Sequence, residues 1–133
     1  MKTKILLTLC TSMILAMPIV NADSPTIRVK CEKRDDRSKI SDERSKISVD
    51  GKNLFGNRFS TEVMSGSNTA TSSLQAPVGD EAEYDFDSAP DNIAAGAVLI
   101  PANFIQGGQV TGKILNEDGY TVVSDYVRCD TKD

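Results

Sequence analysis

The chain has 133 residues, 15 basic and 19 acidic side chains, no His and no Trp. The acidic excess disfavours general nucleic-acid binding, which needs cations to neutralise phosphate. The lack of His removes the usual general base, the common catalytic triads and most zinc sites.

Residues 1–22 read as a secretory signal. Lys2 and Lys4 precede a mostly apolar run from Ile5 to Leu15, Pro18 breaks it, and Val20-Asn21-Ala22 offers a small-residue cleavage site. The run is too short for a span of about 30 Å of hydrocarbon. No later stretch reaches that length, so no membrane span is expected after cleavage. Cys10 follows Leu9 inside the run, not at its end, which disfavours lipid attachment. The expected product is one exported domain, residues 23–133, secreted or periplasmic. Cys31 and Cys129 then remain, one near each end. In an oxidising compartment such a pair is expected to form one disulfide. No C-x-x-C accompanies it to suggest a metal or redox pair.

Downstream, the dominant period is two. Ile27, Val29 and Cys31 alternate with charged residues, and residues 28–52 carry nine basic and six acidic side chains. Residues 35–48 hold a tandem repeat, Asp-Asp-Arg-Ser-Lys-Ile-Ser followed by Asp-Glu-Arg-Ser-Lys-Ile-Ser. Seven is odd, so Ile40 and Ile47 would face opposite sides of one continuous strand. One apolar residue per heptad cannot anchor a helix either. The second copy is therefore expected to supply a strand through Ile47 and Val49, with the first lengthening a loop. Asp50-Gly51 is expected to close a tight turn.

Alternation resumes at Phe59, Thr61 and Val63, at Ala82, Tyr84 and Phe86, at Val110, Gly112 and Ile114, and at Val123, Val127 and Cys129. Half-buried antiparallel strands read this way. Ser65–Asn68, Pro77–Asp80 and Asn116–Gly119 supply turn chemistry between them. Pro90 and Gly96 bracket one short helical turn near 90–96. Val98-Leu99-Ile100 reads as the start of a buried strand, and Pro101 as an edge or bend. About seven strands at this spacing predict an all-β antiparallel sandwich. The hairpin from Gly108 to Val123 resembles the Gly-x-Val-x-Gly-x-Ile…Asp-x-Gly pattern of bacterial immunoglobulin-like and transthyretin-like sandwich modules. That resemblance implies a fold class and carries no function.

Carboxylates are the remaining chemical resource, and residues 53–133 carry twelve acidic against four basic side chains. Glu81, Glu83, Asp85 and Asp87 would share the solvent face of one strand, with Asp91 just beyond. Residues so spaced cannot all reach one calcium ion at about 2.4 Å. Convergence of Asp85, Asp87 and Asp91 at the strand end is the one plausible calcium geometry, so no cofactor is expected beyond that possibility. The functional expectation is an exported, non-enzymatic binding or assembly module with a protein partner or a second copy. An inhibitor or immunity-like protein, docking its acidic face on a cationic protein, is the alternative. A carboxylate hydrolase is a distant third, because the aromatic platform of a sugar site is missing.

Overall fold

The computed structural model describes residues 24–34 and 43–132. The signal segment and the first repeat copy lie outside the described residues, and so do the expectations placed on them. The described chain forms strands β1 (Thr26–Arg34), β2 (Arg44–Lys52), β3 (Ser60–Ser65), β4 (Asn68–Thr71) and β5 (Ala82–Asp87). A single helical turn, α1 (Pro90–Ala94), follows, then β6 (Val98–Leu99), β7 (Gln109–Leu115), β8 (Thr121–Arg128) and β9 (Asp130–Lys132). One sheet has the order β6-β5-β2-β1-β9 and the other β4-β3-β7-β8. The molecule is an all-β sandwich.

Inward positions of the alternating strands meet between the sheets. Ile47, Val49, Tyr84 and Phe86 from the first sheet pack against Val63, Val110 and Ile114 from the second. Tyr84 crosses the interior and donates its hydroxyl to the Phe59 carbonyl at 2.9 Å. Burial raises the pKa of that phenol. Leu54, Ile100, Phe104 and Ile105, all in connections, complete the core. Ile100 falls in the run expected to be buried, though Leu99 beside it is 66% exposed. Leu54, Phe104 and Ile105 carry no period, which hides them from a pattern reading.

The second repeat copy does form β2, with Ile47 and Val49 fully buried. Asp50-Gly51, however, is not a turn. Both residues pair inside β2, opposite Arg28 and Ile27. Gly51 is needed for a different reason: a Cβ there would overlap Ile114 Cδ1 and come within 2.9 Å of Leu54 Cδ1. Gly112 does the same on β7, where a Cβ would lie 2.8 Å from Val29 Cγ2. The two glycines let the sheets approach. The chain turns instead at Asn53, whose φ is 59°.

Two pairings depart from a purely antiparallel sandwich. β6 lies parallel to β5, and β9 lies parallel to β1. Both are short edge pieces: β6 follows β5 through α1 within the first sheet, whereas β9 is laid down after the chain crosses from the second sheet. At that crossing sits Cys129, between β8 in one sheet and β9 in the other. Its disulfide to Cys31 on β1 spans 98 residues of sequence, with Cα atoms 4.7 Å apart.

Candidate functional site

Two regions hold polar or unpaired groups that could meet a partner: the acidic strand β5, and the outer flank of β8.

On β5 the alternation holds for Glu83 and Asp85, which are exposed; Glu81 and Asp91, flanking the strand, are exposed too. Asp87 overturns the expectation of a continuous exposed acidic face. It has the outward parity but is 1% exposed, because α1 folds over it. Arg44 donates to it through both Nε (3.0 Å) and Nη2 (2.8 Å). Asn92 Nδ2 donates at 2.6 Å and the Ala89 N–H at 2.9 Å. Burial alone would raise its pKa. The hydrogen bonds from Arg44, Asn92 and Ala89, with the charge of Arg44, outweigh burial and hold it at about 2, below the ordinary 3.8. The same bonds raise the pKa of Arg44. Every acceptor direction of this carboxylate is used. It fastens α1 to β2 and leaves nothing to offer a ligand.

The neighbouring Ser45 extends the fastening. Its N–H donates to Ser88 Oγ at 3.1 Å, and its hydroxyl donates to the Ala102 carbonyl at 2.7 Å. Among the described residues, no cluster of three or more His, Cys, Asp or Glu could hold a metal ion. Asp87 is thus withdrawn from the calcium geometry that Asp85 and Asp91 would need.

An open cleft of about 660 Å³ lies beside this corner, lined in part by Lys46, Ser48, Glu83, Asp85, Asn92 and Ala97. Its lining is polar, whereas small-molecule sites are mostly apolar. Cations also interleave with its carboxylates: the cross-strand rows run Arg28-Asp50-Glu83 and Glu32-Lys46-Asp87. The face is mixed in charge and less acidic than β5 alone suggests.

The β8 flank is built differently. β8 is eight residues long and pairs only with β7 among the described residues. Gly108 accepts the Cys129 N–H at 2.8 Å, so the backbone of Cys129 points toward β7. Backbone groups alternate sides along a strand. Those of Ser124, Tyr126 and Arg128 therefore point away from the sheet. Beneath this flank, Val122, Val123 and Val127 are only half-buried against the core, as is Ile27 on β1. Val122 sits at a bulge, where pairing steps from Ile114↔Val123 to Leu115↔Thr121. Tyr126 is 58% exposed and Tyr120 71%.

Asp125 shares the inward parity of Val123 and Val127, opposite Gly112, yet it is exposed at the rim. Its Oδ1 accepts the outward Tyr126 N–H at 2.9 Å. A carboxylate on the apolar parity was visible in the sequence as Val123-Ser-Asp125-Tyr-Val127. That β8 is an edge was not visible, because strand order is a long-range property.

Comparison of the chain with family models, curated proteins and solved structures finds no match.

Proposed function

We propose that this protein is an exported, non-enzymatic binding and assembly module that takes an extended chain segment onto the outer flank of β8. The observation that carries this reading is the eight-residue edge strand, whose outward backbone groups pair with no second strand among the described residues, above a row of half-buried valines. Strand addition at such an edge draws affinity from main-chain hydrogen bonds and selectivity from alternate side chains. It would also cover the valines, which the two sheets leave half-open. Export is supported by the layout of residues 1–22 and by a disulfide of the kind that persists in oxidising compartments. A non-enzymatic role is supported by the absence of His and by the spent carboxylate of Asp87.

Tyr126→Pro tests the reading. Proline at an outward-facing edge position removes a donor that the sheet does not use, so the fold should survive. The variant, expressed and exported like wild type, should melt within a few degrees of it and lose whatever co-purifies with wild type. Equal recovery of the same partner with both proteins would place binding elsewhere.

A further inference from the structure

We infer that the segment received by β8 is β8 of a second copy of this chain, paired antiparallel about a two-fold axis at Tyr126. This inference rests on the strand-addition reading and names its partner.

A two-fold interface demands a self-complementary patch. The outward residues Ser124, Tyr126 and Arg128 are spaced symmetrically about Tyr126. With the axis there, Tyr126 exchanges both backbone bonds with Tyr126 of the second copy. Ser124 exchanges both with Arg128 of the second copy, and the reverse. No outward group between 124 and 128 is then left unpaired. Moving the axis by one residue, to Asp125, sets two carboxylates directly opposite, which is repulsive. It also carries Arg128 to the bulge at Val122, where the alternation breaks.

Side chains agree with the first register. The exposed Tyr126 ring faces its own copy, and Arg128 of the second copy falls at the diagonal position, within reach of the ring face.

Asp125 opposes this association. Its carboxylate already holds the Tyr126 N–H that the second copy must take. A charge on the inward parity of an edge strand is a known device against edge-to-edge pairing. The dimer is therefore weak and reversible, and Asp125 sets its threshold.

Cysteine placement tests the register on the exported, disulfide-bonded protein. Under mild oxidant, Tyr126→Cys should form a covalent homodimer faster than Val78→Cys, a control at a highly exposed position. Ser124→Cys alone should not outpace that control, whereas a mixture of Ser124→Cys and Arg128→Cys should cross-link. In sedimentation equilibrium, Asp125→Ala should dimerise about tenfold more tightly than wild type, as each copy releases one hydrogen bond. Tyr126→Pro should stay monomeric. Cross-linking of Tyr126→Cys at the control rate would overturn the second copy as partner. If Tyr126→Pro nonetheless loses a co-purifying protein, strand addition stands and only its occupant changes. If it loses nothing, both readings fall.

Discussion

The two flanks of the sandwich are closed by different means. At the β5 flank, α1 and the connection through Ala102 fold back onto the sheet. Arg44, Asn92, Ser45 and Ser88 bind them to β2 and β5. Polar groups there have partners, and Phe86 beneath them is fully buried. At the β8 flank no other described strand pairs with the outer side of β8. The disulfide and the pairing of β9 with β1 link the sheets there, the valines remain half-covered, and a row of backbone groups faces outward. One flank is thus fastened by side-chain hydrogen bonds, and the other by a covalent bond.

The largest blow to this arrangement is loss of the disulfide. Replacing Cys31 and Cys129 by Ser should cost about 4–5 kcal/mol on the loop-entropy scale for a ring of this size, read from urea unfolding. Hydrogen exchange should rise first in β8 and β9 and last in β2. Uniform exchange across the domain would show that the two flanks are not separately fastened.

Asp87→Ala comes next. It strands Arg44, which is itself partly exposed, and should cost about 2–3 kcal/mol. The same carboxylate gives the β5 flank an acid limit. Its pKa is lower in the folded protein than in the unfolded chain, so its contribution is complete above about 3.8 and is lost as pH falls toward about 2. That loss amounts to about 2 kcal/mol. Urea midpoints at about pH 5 and about pH 2 should differ more for wild type than for Asp87→Asn. An equal difference would remove Asp87 from the acid response.

Much of this was readable from the chain. Alternation located β1, β3, β5, β7 and β8, and compartment logic paired Cys31 with Cys129. The odd repeat length correctly assigned Ile47 and Val49 to a strand. The rest failed for identifiable reasons. Asp87 has outward parity, and only the later fold-back of α1 buries it. Gly51 resembles a turn residue after Asp50, but it is a contact residue, required by Ile114 on the opposite sheet. β6 and β9 are too short to show a period, and which strand each pairs with is a long-range property.

Closer to the β8 flank, Gly112→Ala should drive a methyl into Val29 and cost about 1–3 kcal/mol, measured by thermal unfolding. If Val29 has room to yield, the cost will fall at the lower end. The smallest effect belongs to the exposed part of the acidic strand. Replacing Glu83 and Asp85 together by Ser should change stability by no more than about 0.5 kcal/mol. A larger loss would mean that the cross-strand rows with Arg28 and Asp50 bear structural weight.

The bond at Cys129 also makes most of the domain a closed ring. A protease that cuts the backbone once between residues 31 and 129 yields two pieces that remain one covalent molecule. A single nick between β1 and β2 would add the mass of one water and release no fragment until a reductant is supplied. A domain nicked at that point keeps its backbone through β8 unbroken.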